Sequence, residues 1–256
     1  IICIDDKNIK KLKPKIKNKN ILTYGFSPIS DYQIIKPKYN IQSCKFDLVV
    51  KNFLGKKILI KNIILNLIGK YNILNSVAAI SVCLNLGIKI KIIKKALKKF
   101  TGVQRRMTKI LDKNDNDFYD DYAHHPTEIY SVLEGIKKVS NRKKITSVFQ
   151  PHRFSRVNSL KKEFSKSFKF SDRVVLCPIY AAGEKIDKKF NLIKFGKMIS
   201  RNSNVEVIIV KNEESFKNFL KKNIINNEIV IGMGAGSISN WMRNLKNFLW
   251  IIKKVN

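Results

Sequence analysis

Acidic residues are scarce in this 256-residue chain: 19 Asp and Glu stand against 51 Lys and Arg, a formal net charge of +32. Arginine is scarcer still, at 8 of the 51 basic residues, whereas surfaces that grip nucleic acid favour the bidentate arginine fork. The 43 lysines, 38 isoleucines and 26 asparagines all draw on A/T-rich codons, so the charge reads as compositional drift. The lysines fall on helix faces without the interleaved aromatics of a base-stacking platform, and nucleic-acid binding is set aside as the function. No stretch approaches the roughly 18 consecutive apolar residues of a membrane-spanning helix, so no membrane partner is expected. The four cysteines (Cys3, Cys44, Cys83 and Cys177) form no CxxC pair and each sits in apolar sequence, which reads as buried, reduced thiols of a cytosolic protein. A charged n-region and a small-residue cleavage site are also missing, so the start is not a signal peptide. The chain opens on an apolar run at Ile1 followed by Asp5 and Asp6, and the expectation is a strand entered mid-domain, in the C-terminal part of something longer.

What is present suits one large domain or two smaller ones, with 44% apolar residues spread along the chain. Strand-like runs at 1–4, 21–26, 46–50 and 57–67 alternate with turns that contain Pro14, Pro28 and Pro37. Residues 73–86 are apolar on nearly every side and end at Gly87, which predicts a helix buried between layers. A lysine-rich helix over 89–100 places Ile92, Ile93, Ala96 and Leu97 on one face. The Gly-containing segment 101–106 is the candidate domain boundary. Beyond it, strands at 145–149, 173–176, 205–210 and 228–231 alternate with helices marked by Leu160, Phe164 and Phe168, by 192–199, by Phe216–Ile224 and by 239–252. That βαβ rhythm predicts an α/β fold with a mostly parallel sheet, whose ligands sit beyond the carboxyl ends of the strands.

All three histidines fall at such places, His124 and His125 in DDYAHHPTE (120–128) and His152 in VFQPHRFSR (148–156). The first motif joins a strand ending near Tyr122 to a helix with Pro126 at its first position, and Ile129, Val132, Leu133 and Ile136 form its apolar face. The second sets His152, Arg153 and Arg156 directly after a buried strand. Two guanidiniums and helix N-terminal amides suit the clamping of a carboxylate or phosphate, and neighbouring imidazoles suit positioning an amine or accepting a proton. The competing structural reading pairs the arginines with acids and makes the histidines helix caps. A zinc site is disfavoured, because adjacent residues leaving a strand diverge and neither HExxH nor a cysteine partner is present. The turn 232–236 reads GxGxG after the last strand, with no acidic residue about 20 positions later, and supports only a tight loop opening its amides toward a ligand.

Together with YAAGE at 180–184, GAGS at 234–237, GKYNILNSVAAI at 69–80 and FTGVQRRM at 100–107, the two histidine motifs resemble the Mur ligases of peptidoglycan synthesis over essentially the whole chain. The intact QPHRFSR at 150–156 is more similar to the member that adds L-alanine to UDP-N-acetylmuramate than to the one that recycles murein tripeptide. The resemblance implies a cytoplasmic ligase in which ATP phosphorylates the muramate carboxylate, the amine of L-alanine attacks the acyl phosphate, and phosphate leaves. It implies ATP and Mg2+ as cofactors, with the magnesium ligands outside this chain. Residues 1–104 are then the end of a central ATPase domain and 105–256 a Rossmann-like third domain that closes over ATP and brings the amino acid. By the same resemblance Asn72 and Asn75 lie near the adenine. Arg105, Arg106 and Asp121 lie near the ribose and phosphates. His124, His125, His152, Arg153 and Arg156 surround alanine and the acyl phosphate, with Ser237 at the rim.

Two departures stand out. Tyr71 takes the place where the family's GxHN motif has His, and a phenol cannot carry the imidazolium charge. No GK pair (Gly55-Lys56, Gly69-Lys70, Gly196-Lys197) has the spacing and the following Ser or Thr of a GTxGKT phosphate loop. The chain is therefore expected not to turn over alone, and a non-catalytic nucleotide- or acidic-ligand-binding module is the rival reading.

Overall fold

The structure, a computed structural model, describes residues 1–17, 20–40, 43–140, 142–224 and 226–251. They form two compact units, Ile1–Gly102 and Val103–Asn256.

The first unit runs β1 (Ile2–Cys3), α1 (Lys7–Leu12), a 3-10 turn (Lys13–Lys15), β2 (Thr23–Gly25), β3 (Tyr32–Tyr39), β4 (Cys44–Phe53), β5 (Lys56–Leu65), α2 (Lys70–Asn85) and α3 (Ile90–Lys99). Its five strands lie in chain order; β1, β2 and β3 are parallel, and β3, β4 and β5 antiparallel. Leu54 and Gly55, both at positive φ, make the two-residue turn that joins β4 to β5. Ile34, Phe46, Leu48, Ile60 and Ile63 of the sheet pack with Ile73, Val77, Ile80 and Leu84 of α2. Two expectations need correction here. The 73–86 helix is buried on one face only, with Val82 45% and Leu86 73% exposed, because a 3.6-residue period turns every fourth side chain away from a single sheet. In α3 the packed row is Ile90, Ile93 and Leu97, while Ile92 and Ala96 point outward. Strand β3 is absent from the sequence reading because Pro37 and its lysines break the apolar run; the chain keeps the strand with a register shift between Ile35 and Lys38. The cysteines are all free, but only Cys44 and Cys177 are buried; Cys3 and Cys83 are half-buried.

The second unit runs β6 (Thr108–Lys113), β7 (Asn116–Asp121), α4 (Pro126–Val139), β8 (Lys144–Phe149), α5 (Phe154–Ser159), α6 (Lys161–Ser165), β9 (Arg173–Leu176), α7 (Leu192–Ser203), β10 (Glu206–Ile209), α8 (Glu213–Asn223), β11 (Glu228–Met233) and α9 (Ile238–Ile251). The sheet order is β10-β9-β8-β11-β7-β6, parallel throughout except for the β6–β7 hairpin. The chain is α/β with mixed sheets. Side chains alternate across the second sheet. Phe118, Val148, Val175 and Val230 meet Phe216, Phe219 and Leu220 of α8 and Ile238, Met242 and Leu245 of α9. On the same strands Ile145, Phe149 and Ile231 alternate with these and are fully buried, as are Ile129 and Leu133 of α4 and Phe164 of α6. The helix expected across 160–168 is shorter: α6 spans only Lys161–Ser165, with Leu160 (φ −116°, ψ 23°) separating it from α5 and Phe168 lying beyond its end. Residue 252, at the end of the last expected helix, lies outside the described residues.

Candidate functional site

From β8 the chain goes outward to β9, whereas α9, which follows β11, packs over β6 and β7. The connections after these adjacent parallel strands therefore leave in opposite directions, which opens a crevice between their carboxyl ends. Gln150, at the end of β8, bridges it. Its buried side chain donates from Nε2 to Ser237 Oγ at 3.0 Å and accepts the Ile238 backbone N–H at Oε1 at 3.0 Å. The glycine turn is pressed close: a Cβ at Gly234 would stand 2.6 Å from the Gln150 carbonyl oxygen, and one at Gly236 2.5 Å from Tyr180 Cγ. Neither Gln150 nor Tyr180 was among the sequence candidates. Their signal was the glycine spacing, since residues 234 and 236 must lack side chains for something.

His152 sits on the far side of that bridge. It pairs with Tyr180 in an isolated parallel bridge that Arg153 N–H→Tyr180 O (2.9 Å) and Tyr180 N–H→Pro151 O (2.8 Å) fix, and its ring stacks on Tyr180 at 5.6 Å and 18°. Arg156 Nη1 lies 3.3 Å from His152 Nδ1. A guanidinium can only donate, so Nδ1 accepts and the proton resides on Nε2. Partial burial, and then the positive charge of Arg156, hold the imidazole below its ordinary value and favour the neutral ring. Arg153 adopts φ 69° at the start of α5 and is exposed, and its guanidinium makes no hydrogen bond or ion pair among the described residues. Glu184 caps the same helix, accepting Ser155 N–H at 3.1 Å and Ser155 O–H at 2.5 Å, which lower its carboxyl from the ordinary range.

The DDYAHHPTE motif ends β7 and opens α4. Asp120 is fully buried and accepts Ser239 O–H at 2.5 Å, with Arg105 Nε at 3.8 Å and Arg243 Nη2 at 3.9 Å. Asp121 is turned inward too. Its two oxygens accept the backbone N–H groups of Ala123 (2.7 Å) and Met107 (2.9 Å), and burial raises its carboxyl to about 6 against the lowering effect of those bonds and of Arg106. Arg105 donates from Nη2 to the Gly234 carbonyl at 2.6 Å and lies over the Tyr122 ring at 4.6 Å, so it ties the start of this unit to the glycine turn. Arg106 is exposed. His125 caps α4: its Nδ1 accepts Thr127 N–H at 3.3 Å, while Glu128 accepts the backbone N–H groups of His125 at 3.3 Å and His124 at 3.0 Å. The His124 ring reaches the other motif, 6.0 Å from the His152 ring in an edge-on contact. In the first unit Asn72 is buried and donates to the Ile68 carbonyl at 2.7 Å, and Asn75 is exposed on the same helix.

The structure thus brings His124, His152, Arg156 and Ser237 to the carboxyl ends of β7, β8 and β11, beside the exposed Arg153. His125 and Asp121 serve mainly the local backbone, and Arg105 the glycine turn. Among the described residues no three His, Cys, Asp or Glu side chains come together to hold a metal ion. Among the described residues no helix is long and apolar enough to cross a membrane.

Fold and site define a class first: an open, doubly wound α/β domain that gathers imidazole and guanidinium groups at its switch point. The family described as "Mur ligase, glutamate ligase domain" matches residues 105–236, and the chain belongs to the Mur ligase family. It is 49% identical over 249 residues to a protein of Pelagibacter ubique named UDP-N-acetylmuramate–L-alanine ligase, covering 97% of this chain and 53% of that protein. A protein of the same name from Vesicomyosocius okutanii is 38% identical over 93% of this chain and 50% of its own length. The chain spans about half the length of the curated relatives it matches. Among solved structures, the UDP-N-acetylmuramate–alanine ligase of Thermotoga maritima superposes with a TM-score of 0.72 at 23% identity, over 92% of this chain and 48% of that one, which establishes a shared fold.

Proposed function

We propose that these 256 residues are the amino-acid-adding part of an ATP-dependent ligase that joins L-alanine to UDP-N-acetylmuramate. The first unit is read as the end of the ATP-binding domain and the second as the ligase domain. The observation that carries the reading is the exposed Arg153 guanidinium, which makes no hydrogen bond or close ion pair among the described residues, beside His152, whose Nδ1 faces Arg156. Alanine offers a protein little beyond a carboxylate, an amine and one methyl group. Arg153 suits the carboxylate and the imidazoles suit the amine. The relatives' shared name supports alanine among amino acids.

ATP, when bound, supplies the phosphoryl group that activates the muramate carboxylate. Of the residues that the resemblance assigns to the nucleotide, Asn75 is exposed within the first unit and Arg106, separately, within the second. Magnesium does not fit any set of residues here, since no carboxylate cluster is available among those described. No step is assigned to it. The remaining task of this chain is to hold alanine so that its nitrogen meets an acyl phosphate, with Arg153 orienting the carboxylate and the tight glycine turn closing the rim at Ser237.

The test is a fusion in which the N-terminal half of the Pelagibacter ubique relative precedes this chain. Phosphate release that requires ATP, UDP-N-acetylmuramate and L-alanine together is the expected result. Release driven by murein tripeptide in place of alanine would replace this reading with the recycling ligase. Nucleotide binding with no release in a folded fusion would support the non-catalytic module.

A further inference from the structure

The three histidines are not chemically equivalent. His152 Nδ1 faces the Arg156 guanidinium and His125 Nδ1 faces the Thr127 N–H, both donors, so each of these rings carries its proton on Nε2. His124 is the reverse. Its Nδ1 lies 3.0 Å from the Tyr122 carbonyl oxygen and 3.3 Å from Glu128 Oε2, both acceptors. The proton of the neutral His124 ring therefore stays on Nδ1, and its Nε2 carries the lone pair. Glu128 is itself held by the His124 and His125 backbone amides, so its carboxylate is fixed by the same turn that it orients.

We infer that Glu128 is a positioning residue that, together with the Tyr122 carbonyl, holds His124 in the Nδ1–H form, which makes His124 Nε2 the acceptor of the ammonium proton when the amino acid reacts. This deepens the proposed function and rests on it. One N–H proton of the ammonium passes to His124 Nε2. The freed nitrogen lone pair forms the C–N bond at the acyl carbon, the carbon–oxygen bond to phosphate breaks with its electron pair going to phosphate, and the second N–H proton leaves to the released phosphate. A carboxylate behind an imidazole is the recurring arrangement by which a base is oriented and its charged form supported. His152, with its proton on Nε2, has its ring centre 6.0 Å from that of His124.

Three histidines make a direct test practical. In the 15N-histidine-labelled chain above pH 8, long-range proton–nitrogen correlations distinguish a protonated from an unprotonated ring nitrogen. Single His→Gln variants assign the three sets. The expected result is His124 with its proton on Nδ1 and the other two rings with theirs on Nε2. Glu128→Ala leaves the Tyr122 carbonyl as the remaining acceptor at Nδ1 and should raise the Nε2–H share only part of the way toward that of a free imidazole, and Glu128→Gln, which keeps an acceptor oxygen, should hold most of the native form. A His124 ring already protonated on Nε2, or one unmoved by Glu128→Ala, overturns the positioning role. A melting temperature that falls in Glu128→Ala with an unchanged His124 form means that Glu128 is only a helix cap. In the fusion described above, His124→Gln should lower kcat by about 10²-fold or more while the alanine KM changes by only a few fold. A change confined to KM would remove His124 as proton acceptor. A parent fusion without activity counts against the proposed function, and the spectra of this chain alone then decide the positioning role.

Discussion

Arg153 and Arg156 stand three positions apart in one motif, yet the structure gives them different work. Arg153 is exposed and makes no bond to the described protein, whereas Arg156 donates to His152 Nδ1 at 3.3 Å. In the fusion, Arg153→Ala should raise the alanine KM with little effect on that for ATP. Losing one charge-assisted hydrogen bond corresponds to roughly 1.5–3 kcal/mol, or about 10- to 150-fold. Lys at 153 should rescue only in part, since it keeps the charge and loses the fork. Arg156→Ala should lower kcat as well, because His152 is then free to turn. An alanine constant unaltered in both variants would end the arginine-clamp reading. Asp121 supplies a pH dependence. Burial raises its carboxyl from the ordinary 3.8 to about 6, so its stabilising contribution is complete below 3.8 and is lost as pH rises through about 6. By pH 7 the ionised group costs on the order of 3 kcal/mol relative to an unshifted acid. Carbon-13 titration of the aspartate side chains should show one carboxyl with a midpoint near 6. Were all to titrate at or below the ordinary value, the amides of Ala123 and Met107 would outweigh the burial.

At the scale of elements, the sequence was readable wherever periodicity and end signals agreed. Helix α4 shows its start in His125, Pro126 and Glu128 and its core face in Ile129, Val132, Leu133 and Ile136, and all four of these apolar residues are buried. The parallel strands are short apolar runs, and β8 is buried from Ile145 to Phe149. Strand β6 is absent from the sequence reading because Lys109, Asp112 and Lys113 leave it only two apolar residues, Ile110 and Leu111. Its turn is made by Asn114 and Asp115, both at positive φ, as a two-residue hairpin loop requires. For the site, the motifs placed His124 beside His152, but side-chain direction lay beyond them. That Asp121 faces inward, or that Glu128 faces His124, depends on backbone turns that residue type alone does not determine. The glycine turn carries the prediction at this scale. Gly234 combines φ +149° with a Cβ position 2.6 Å from the Gln150 carbonyl oxygen, and its own carbonyl receives Arg105. Gly234→Ala should therefore cost about 1–3 kcal/mol, read as a lower melting temperature. An unchanged melting temperature would mean that the turn can shift away from β8.

For the whole molecule, the charge and the site separate. Of the eight arginines, Arg105, Arg106, Arg153 and Arg156 lie in the motifs at the sheet edge, and Arg173 pairs with Glu206 at 2.8 Å. The lysine excess is spread over helices and strands alike, as on α3, where Lys91, Lys95, Lys98 and Lys99 are exposed, and on β5, where Lys56, Lys57 and Lys61 are. The candidate site is concentrated in few residues while net charge is distributed over many, which fits the proposed recognition of a small anion better than that of a polyanion.

The same separation bears on whether these 256 residues catalyse by themselves. Phosphoryl transfer depends on a cradle for the phosphates, a metal to neutralise developing charge and strict positioning of the attacking oxygen. The chain contains no glycine-rich loop ending in Lys-Ser or Lys-Thr, and its described residues gather no metal-binding carboxylates. On the proposed function, what it does contain would serve the later step, in which an amine meets an activated acyl group. The purified chain, given ATP, magnesium, UDP-N-acetylmuramate and L-alanine, should release no phosphate in an alanine-dependent manner, and the fusion should restore that release. Residues 103–256 expressed alone should melt cooperatively, since that unit has its own closed core around Phe149, Val175 and Val230. Sustained alanine-dependent release by the clean 256-residue chain would mean that a phosphate cradle exists among these residues in a form that no phosphate-loop motif describes, and the division of labour argued here would fall with it.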